Sequence, residues 1–438
     1  MAMSIYLHFQ IALLLLSQQA TLSFHNPARR RLLQTRAGVL ESPIFHDQSH
    51  SSMVVMMTSS STSSPSATRP WYSHPDLDRD RSRVLKKFPD DDGKDLLSQL
   101  LEGEHGVDED SGSRFLLMSQ KGMWHQSMPK VKPLYLTRSQ LKTMLSSDIS
   151  NSGYISSGRT SASPIVAWIG SHGAIDYWVV YVKELPAGND DKLATGPILD
   201  QTAGVTASCR PLREFGDSLE DNDDAGILAT AQGLVEFHKS HPFCSLCGAP
   251  TQSSKAGSCR RCSDCKKSVY PRLDVAAIML VTSPCQKYAL LGRKKSWPEG
   301  RYSTLAGFCE VGETLEDCCR RETYEESGVV VDPLSVQFMA SQPWPFPRSL
   351  MVGFQAKALM GEKAQAAATQ DSPVLPEIQV DTSEMEDIQW FSKDFVKERL
   401  AGGSTALTFE PNDHESIFHI PGKASLARLL ITKWTEQA

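Results

Sequence analysis

Seven carboxylates are concentrated in one short segment, GFCEVGETLEDCCRRETYEESGV, which spans residues 307–329. Glu322 and Glu326 lie four residues apart, so they share one face if the segment is helical, and Glu325 adjoins them. Like charges at this spacing destabilise a helix by roughly 0.2–0.5 kcal/mol per pair unless a positive charge compensates them. Because a hard divalent cation binds several carboxylate oxygens at once, the segment is a candidate metal site, with a solvated acidic face as the simpler alternative.

Cysteine thiols form a second candidate metal site. Five of the ten cysteines lie within residues 244–265, a clustering that favours a metal site over the dispersed disulfides of a secreted fold. Two C-x2-C pairs are separated by 14 residues, the spacing of a zinc ribbon: Cys244 with Cys247, and Cys262 with Cys265. Cys259 with Cys265 is the alternative second pair.

A site closed by four thiolates leaves no position for water or substrate, so the zinc would be structural. Two other interpretations stay open at this stage. The cysteines could be ordinary free thiols, or the basic neighbours in CRRC and CKK could belong to a nucleic-acid-binding ribbon. The net charge of −6 for the whole chain disfavours a protein that binds nucleic acid over its entire surface.

The acidic segment carries the end signals of a single helix. Thr314, followed three residues later by Asp317, is an N-terminal capping pair, and Gly328 is a C-terminal stop signal. Arg321 lies four residues before Glu325, where its charge can compensate that of the glutamate. The sequence therefore predicts a helix over residues 314–327 that presents the glutamates.

Apolar patterns elsewhere predict a mixed α/β protein. Strands are predicted for PIVAWIG, DYWVVYVKEL, DVAAIMLVT, KYALLGRKK and LMVGFQAKAL, and helices for AGILATAQGLVEFHKSH, SKDFVKERL and KASLARLLITKW. The stretch GEKAQAAATQDSPVLPEIQ is predicted to be a loop or an insertion. With 438 residues, 40% of them hydrophobic, the chain can form two or three domains with packed cores.

The first 70 residues have the composition of a targeting segment. An apolar run, IALLLLSQQATLSF, precedes the Arg- and Ser-rich stretches HNPARRRLLQTRAG and SSSTSSPSATR. A signal peptide followed by such a stretch resembles the two-part plastid address of algae with secondary plastids. The alternatives are a secreted protein, or a cytoplasmic or peroxisomal protein that starts at Met53, Met56 or Met57, although the C-terminal WTEQA lacks a Ser-Lys-Leu type signal.

The acidic segment resembles the Nudix box, the loop-helix-loop signature of hydrolases that act on nucleoside diphosphates linked to another group. All glycine and charged positions of that signature are present: Gly307, Glu313, Arg321, Glu322, Glu325, Glu326 and Gly328. Thr323 is a departure, because the family usually carries an aliphatic residue there.

Three further stretches narrow the resemblance to the NADH pyrophosphatase branch of this family, over about residues 205–435. They are YPR at the end of the cysteine region, LAGF before the box, and SQPWPFPRS beyond it, at residues 270–272, 305–308 and 341–349.

Carried over by position, the resemblance implies a role for each site residue. The catalytic residues would be Glu325 and Glu326. The ligands of Mg²⁺ or Mn²⁺ would be the carbonyl of Ala306 and the carboxylates of Glu322, Glu325, Glu326 and Glu384. The zinc ligands would be Cys244, Cys247, Cys262 and Cys265. The dinucleotide would be held by Tyr270, Gln342, Pro343, Trp344, Pro345, Phe346, Pro347, Arg348, Ser349 and Ala427, the last of these from a partner subunit of a homodimer.

The implied activity is cleavage of NADH and NAD⁺ to reduced or oxidised nicotinamide mononucleotide and AMP by metal-activated water. Within the same family, the alternatives are hydrolysis of NAD-capped RNA or of ADP-ribose. Outside it, the alternative is a non-enzymatic zinc-ribbon binding protein. No membrane partner is expected.

The implied fold class is α/β (α+β), and four regions are expected. A targeting or disordered segment spans residues 1–70, and an α+β N-terminal domain spans 71–239. A zinc ribbon follows at 240–272, and a Nudix α/β/α sandwich with a mixed sheet occupies 273–438.

Overall fold

The computed structural model describes residues 70–74, 76–88, 96–102, 112–128, 130–145, 164–184, 206–360, 374–401 and 418–437. Residues 1–69 of the predicted targeting segment and residues 361–373 of the predicted insertion lie outside these ranges. Within the described ranges, no helix has the length and apolar character needed to span a membrane.

The N-terminal part is built on a seven-stranded sheet. Its strands are β1 (Ser113–Ser119), β2 (Gly122–Met128), β3 (Lys132–Pro133), β4 (Tyr135–Leu136), β5 (Ile165–His172), β6 (Ile175–Tyr181) and β7 (Thr206–Arg210). The order is β3-β2-β1-β6-β5, with β4 beside β1 and β7 beside β2. The β1–β6 pair is parallel, whereas β5 and β6 form the antiparallel pair predicted from PIVAWIG and DYWVVYVKEL.

Helices cover both faces of this sheet. They are α1 (Ser82–Lys87), α2 (Leu96–Glu102), α3 (Arg138–Leu145), α4 (Leu212–Phe215) and α5 (Asn222–Ser240), with a 3₁₀ turn at Gly216–Ser218. Alternate residues of β1 enter two different cores, Phe115 with α1 to α3 and Leu116 with α5, because successive side chains of a strand point to opposite faces. The predicted helix before the cysteines is α5, whose first turn is capped by the Asp221 side chain.

The cysteine region folds as a three-stranded antiparallel ribbon docked on the N-terminal domain. Its strands are β8 (Thr251–Ser254), β9 (Cys259–Cys262) and β10 (Ser268–Val269), in the order β10-β9-β8. The docking turn comes so close to β5 that a Cβ added at Gly257 would lie 2.5 Å from Ala167. Gly257 also has φ +81°, which favours glycine over any other residue.

A buried histidine joins the ribbon to α5. His238 Nε2 donates to the Gly257 carbonyl (2.8 Å), so Nδ1 is the acceptor for the Arg260 guanidinium (2.9 Å). Burial lowers the pKa of His238 to about 4, and the Arg260 charge acts in the same direction. The imidazole is therefore neutral at physiological pH, which this hydrogen-bond pattern requires.

The C-terminal part contains a six-stranded mixed sheet. Its strands are β11 (Asp274–Thr282), β12 (Tyr288–Arg293), β13 (Leu305–Phe308), β14 (Gln337–Trp344), β15 (Ser349–Lys357) and β16 (Asp387–Ser392). The order is β14-β15-β11-β12-β16, with β13 also paired to β11. The β11–β15 pair is parallel and the other pairs are antiparallel.

Helices pack on both sides of this second sheet and complete an α/β/α sandwich. They are α6 (Leu315–Ser327), α7 (Lys393–Ala401) and α8 (Leu426–Glu436), with a 3₁₀ turn at Pro333–Ser335. Met279 of β11 packs on the α6 side and Leu280 on the side of α7 and α8, so the central strand is apolar on both faces. The predicted fold class is confirmed.

Candidate active site and zinc site

The acidic helix begins and ends where its capping residues predict. The Thr314 hydroxyl accepts a hydrogen bond from the Asp317 backbone N–H (3.1 Å) and donates to the Asp317 carboxylate (2.9 Å). At the other end Gly328 has φ 69°, and its N–H donates to the Tyr324 carbonyl at 2.7 Å. A helix over residues 315–327 is thus confirmed, and it fixes the direction in which each glutamate projects.

Small side chains attach this helix to the sheet. Cys318 and Cys319 are fully buried against β11 and β13 and act as small packing residues. Thr323 is also fully buried, and its hydroxyl donates to the Cys319 carbonyl at 2.7 Å. The departure from the aliphatic residue of the Nudix box is therefore accommodated, because the added polar group has a backbone acceptor.

Arg321 holds three of the carboxylates in one network. It donates to both oxygens of Glu313 (2.7 and 2.8 Å), and its Nη1 donates to Glu322 and to Glu325 (2.9 Å each). It also donates to the Phe308 carbonyl at the end of β13. This bidentate pairing lowers the pKa of Glu313 to about 2, so one cation orders the loop, the strand end and the helix.

Glu326 lies outside that network and has a different environment. Only 2% of the residue is exposed, and its Oε2 atom has no hydrogen-bond partner. Its Oε1 atom faces the Lys294 ammonium at 3.9 Å. Burial raises the pKa of Glu326 to about 8, against the opposing charge of Lys294. A buried carboxylate with an open oxygen is a good ligand for a divalent cation.

Two further acidic groups and one backbone segment meet beside Glu326. Burial raises the pKa of Glu322, as it does that of Glu326, and the charge of Glu384 acts in the same direction on both, so the three carboxylates lie within electrostatic reach of one another. Ala306 and Gly307 lie on β13 next to α6. A Cβ at Gly307 would lie 1.9 Å from the Glu322 carboxyl carbon, so only glycine leaves room for this carboxylate against the strand.

This donor set is chemically suited to a hard divalent cation. It consists of carboxylate oxygens and the β13 backbone, and it includes an orphaned buried oxygen on Glu326. Glu384 itself is exposed, on a turn whose Asp381 N–H donates to the Glu326 carbonyl at 3.0 Å. The structure thus brings the predicted ligands to one end of α6.

The predicted substrate loop leaves β14 and packs on the N-terminal domain. Trp344 and Phe346 are half-buried, with ring centroids 5.1 Å apart, and each makes an edge contact with Tyr72 at 6.3 and 6.0 Å. Tyr72 also contacts Gly216, where an added Cβ would overlap its hydroxyl. Trp344 and Phe346 therefore pack on the N-terminal domain and still keep part of each ring exposed to solvent.

Two of the predicted substrate residues have side chains that are occupied within the chain. The buried Gln342 amide donates to the carbonyls of Trp71 (3.1 Å) and Ala424 (2.8 Å) and accepts from the Leu426 N–H (2.7 Å). Ala427 is 3% exposed in the core beneath α8. In one chain Gln342 therefore joins β14 to the start of α8 and to the N-terminal domain.

Other predicted substrate residues are better placed for a ligand. Tyr270 is 51% exposed, and its hydroxyl accepts a hydrogen bond from Lys255 (3.1 Å). Arg348 has two buried guanidinium nitrogens, Nε and Nη1, without hydrogen-bond partners among the described residues, while its carbonyl accepts the Asp274 N–H.

The remaining predicted substrate residues differ in exposure. Ser349 is buried where β15 begins. Of the three loop prolines, Pro345 is buried and the other two, Pro343 and Pro347, are exposed.

The thiols of the ribbon form a compact quartet. The four Sγ atoms all lie within 4.8 Å of one another, and they belong to Cys244, Cys247, Cys262 and Cys265. The separations Cys244–Cys265 and Cys247–Cys262 are 3.7 and 3.4 Å. Tetrahedral zinc with ~2.3 Å bonds places its sulfurs about 3.8 Å apart, so the quartet fits a structural zinc ion.

Strand geometry explains why Cys259 is not in the quartet. Cys259 and Cys262 are three residues apart on β9, and residues at that spacing point to opposite faces of a strand. Cys259 is fully buried on the opposite face, with its thiol 3.8 Å from the Ser254 carbonyl. The sequence left the two residues as alternatives, and the ribbon fold separates them.

Comparisons with known proteins agree with these two sites. A NUDIX domain model matches residues 272–408, and a model of the NADH pyrophosphatase zinc ribbon domain matches residues 239–270. The sequence is 35% identical over 243 residues to the "NAD-capped RNA hydrolase NudC" of Mycobacterium bovis, a match that covers 56% of this chain and 70% of that protein. The chain belongs to the Nudix family, in its zinc-ribbon NADH pyrophosphatase branch.

Two mammalian relatives of this Nudix protein are also similar. Identity is 40% over 215 residues with the mouse "NAD(P)H pyrophosphatase NUDT13, mitochondrial", covering 49% of this chain and 55% of the relative. It is 37% over 219 residues with the human "NAD-capped RNA hydrolase NUDT12", covering 48% of this chain and 42% of the relative. The chain thus spans about half the length of these mammalian proteins.

Lys294 of this Nudix protein, which follows β12 and is distant from the box in sequence, was not predicted as a site residue. A basic pair, Lys294 and Lys295, directly after a strand was the available signal, but it does not show which glutamate lies opposite. Gln342 was predicted to bind the substrate, and no sequence signal indicates that its amide joins three segments.

Proposed function

We propose that this Nudix protein hydrolyses the diphosphate of NADH and NAD⁺, yielding reduced or oxidised nicotinamide mononucleotide and AMP. The observation that carries the proposal is the buried Glu326 carboxylate, which has an open oxygen and lies beside Glu322 and Glu384 at the end of α6. The names of the relatives support the same class of substrate.

In this proposal Mg²⁺ or Mn²⁺ is held by Glu322, Glu326, Glu384 and the Ala306 carbonyl, with Glu325 as a further ligand or as the group that orients water. When bound, such a cation lowers the pKa of a water ligand and neutralises phosphate oxygens. The carboxylates cannot bind the polyanionic substrate directly, because both carry negative charge.

The residues of the chain position the reacting groups. Glu325 has a side chain that is 56% exposed and is tethered through one oxygen to Arg321, so the other oxygen can accept a hydrogen bond from the attacking water. Attack of that water on one phosphorus breaks the bridging P–O bond, and the second phosphate leaves with its nucleoside.

The loop after β14 is suited to the rest of the dinucleotide. The faces of Trp344 and Phe346 can stack on a base or a nicotinamide ring, and packing against Tyr72 orders them before the substrate binds. The unpartnered nitrogens of Arg348 are donors for phosphate or ribose oxygens. Tyr270 extends this surface from the ribbon side.

A substrate panel tests the proposal. Full-length protein is incubated with NADH, NAD⁺, ADP-ribose or NAD-capped RNA, with Mg²⁺ or Mn²⁺, and products are identified by mass spectrometry. Release of nicotinamide mononucleotide and AMP from NADH is the expected result. No hydrolysis of any of the four substrates would favour a non-enzymatic zinc-ribbon binding protein.

NAD-capped RNA is the second candidate, because the ribbon region carries exposed basic side chains, one of which, Lys255, contacts Tyr270. The exposed basic residues are Lys255, Arg261, Lys266, Lys267 and Arg272. Positive side chains that bind RNA phosphates displace counterions, so binding weakens steeply with salt. If these residues bind RNA, kcat/KM for capped RNA will fall with added KCl far more than kcat/KM for NADH, and parallel curves would rule out this role.

The zinc ligands we propose are the four cysteines of the quartet, and their role is to close the ribbon. The family match to this zinc ribbon supports the assignment. Because all four ligands are thiolates, the ion would stabilise the fold and take no part in hydrolysis.

We further propose a homodimer. Three exposed apolar side chains lie where the ribbon meets β11 and β13, namely Tyr270, Leu273 and Phe308, each more than half exposed in the single chain. Burial in a partner interface would remove this apolar surface from water. Light scattering after size-exclusion chromatography should give twice the chain mass, and Phe308→Glu should give the monomer.

We propose that the first 70 residues direct import into plastids, because of the composition of that segment. Expression of residues 1–70 fused to a fluorescent protein tests it directly. Fluorescence in the plastid is expected, whereas mitochondrial fluorescence would instead match the location given in the name of the mouse relative.

A further inference from the structure

The acidic cluster is divided between two cations. Arg321 contacts Glu313, Glu322 and Glu325, but no oxygen of Glu326. Among the described residues, Lys294 is the cation that forms an ion pair with Glu326, at 3.9 Å. Removing the charge of Arg321 and removing the charge of Lys294 should therefore affect different carboxylates of the site.

Lys294 follows the last residue of β12, where three segments meet. The preceding carbonyl, of Arg293, accepts the Glu386 N–H (2.9 Å), which places the turn carrying Glu384 alongside. Opposite lies the C-terminal end of α6 with Glu326. The Lys294 side chain is 39% exposed, so its ammonium reaches the buried carboxylate from solvent.

The Lys294–Glu326 contact is an ion pair without a hydrogen bond. At 3.9 Å the ammonium and Oε1 attract, but the separation exceeds the 2.7–3.2 Å of an N–H···O bond. Among the described residues, none forms a hydrogen bond with Glu326 Oε2. The ammonium therefore lies beside the carboxyl group without bonding to it, which leaves both oxygens of Glu326 available to a stronger ligand.

We propose that Lys294 is an exchangeable counter-ion: it competes with the divalent cation for Glu326, and after displacement it contacts the diphosphate of the substrate. This inference rests on the proposed function. In its second role Lys294 would be a specificity residue for polyanionic substrates, a class of ligand that no carboxylate of the site can bind.

Electrostatics links the two roles. An ammonium beside Glu326 repels a divalent cation that binds there, so cation binding favours movement of the lysine away. The lysine side chain is a flexible four-carbon stem with a compact charge, and solvent exposure lets it turn without repacking a core. A diphosphate bound at that cation would carry negative oxygens. The displaced ammonium of Lys294 would gain these oxygens as a new partner.

The first test measures cation binding without substrate. Full-length, zinc-loaded wild type, Lys294→Met, Lys294→Arg and Lys295→Met are titrated with Mn²⁺, and free Mn²⁺ is followed by electron paramagnetic resonance. Lys294→Met should bind Mn²⁺ about tenfold more tightly, because a repelling charge is lost. Lys294→Arg should stay within about threefold of wild type, since it keeps the charge.

Lys295→Met is the matched control, because Lys295 is the exposed neighbour of the same charge, and its Mn²⁺ affinity should change less than about twofold. Unchanged or weaker Mn²⁺ binding by Lys294→Met would overturn the competition. Thermal unfolding of each variant shows whether a loss of affinity reflects loss of fold.

The second test measures the role toward substrate at saturating Mn²⁺. Lys294→Met should raise KM for NADH about tenfold while kcat stays within about threefold, and Lys295→Met should change neither. A KM equal to that of wild type would overturn the diphosphate contact. If wild type hydrolyses none of the dinucleotides, the proposed function fails, whereas the Mn²⁺ titration still decides the competition.

Discussion

The two proposed metal sites of this chain are built in opposite ways. The thiols of the ribbon come from two tight turns within residues 244–265 and converge until their sulfurs lie within 4.8 Å. The carboxylates project from a helix and from a distant turn, and protein cations hold them, Arg321 for three and Lys294 for Glu326.

This difference matches the work that each metal is expected to do. Four soft thiolates saturate tetrahedral zinc, so the ion stays and stabilises the fold. Carboxylates that are already paired with cations of the protein can exchange those partners for hard cations and water ligands, which hydrolysis requires. The proposed zinc site is therefore closed, whereas the proposed catalytic site is exchangeable.

Glu326→Gln should give the largest effect on activity, because it alters a proposed ligand of the catalytic cation. The zinc site is left unchanged. The amide retains the shape of the buried side chain but loses the charge that binds the cation, so kcat/KM for NADH should fall by about a thousandfold or more. Metal analysis should still find about one zinc per chain. A rate close to that of wild type would show that Glu326 is not a ligand of the catalytic cation.

Cys262→Ser should have the opposite pattern of effects. Loss of one thiolate opens the quartet, so bound zinc should fall from about one per chain to near zero and the ribbon should unfold at lower temperature. Cys259→Ser is the matched control, because its thiol lies on the other face of β9, and it should retain zinc. If Cys259→Ser loses zinc and Cys262→Ser does not, the ligand assignment is wrong.

Arg321→Met should produce a smaller, mixed effect within the exchangeable site. It removes the hydrogen bonds of Glu313, Glu322 and Glu325 at once, so we expect about a hundredfold fall in kcat/KM and a loss of roughly 2–4 kcal/mol in the free energy of unfolding. Zinc content should not change.

Arg320→Met is the control for that variant, since Arg320 is exposed and pairs with Asp317 one turn away on the surface of α6. Its unfolding free energy should change by less than about 0.5 kcal/mol. Equal effects of the two substitutions would mean that loss of surface charge, rather than the Arg321 network, lowers the activity.

The smallest expected effect concerns the docking of the ribbon on α5. The pKa of His238 is about 4 in the folded chain and about 6.5 in the unfolded chain. Between these pH values the unfolded chain binds a proton at His238 and the folded chain does not. Stability is therefore lost as pH falls from about 6.5 toward 4, by about 2 kcal/mol at pH 5.

Denaturant unfolding of wild type and His238→Gln across this pH range isolates the His238 contribution, because acid effects on zinc are common to both proteins. The difference between the two unfolding free energies should shrink as pH falls. A constant difference would indicate that His238 titrates normally in the folded protein.

Much of the fold and of the site was predictable, because the relevant signals are local. Thr314 and Gly328 mark the ends of α6, since capping satisfies backbone groups of the same turn. Short apolar runs likewise predicted β5, β6, β11 and β12. The predicted roles of the substrate loop remain predictions, as do the exact domain boundaries.

Features that could not be predicted from the sequence depend on residues far apart along the chain. The substrate role of Gln342 stays a prediction, but the sequence did not indicate that its amide also joins residues 271 and 82 positions away. The basic pair of Lys294 and Lys295 did not show which glutamate lies opposite, because the tertiary structure sets Lys294 beside Glu326.

The sequence by itself determined the chemistry available to this protein: the soft thiol pairs, the acidic helix with its caps, and the family that these motifs indicate. Tertiary structure alone decided the environment of each group. It turned Cys259 away from the quartet through the two-residue period of β9, and it buried Glu326 while leaving Glu325 exposed. Identical carboxylates, adjacent in sequence, thereby acquired different proton affinities, because burial and charge depend on neighbours that the chain brings from far away.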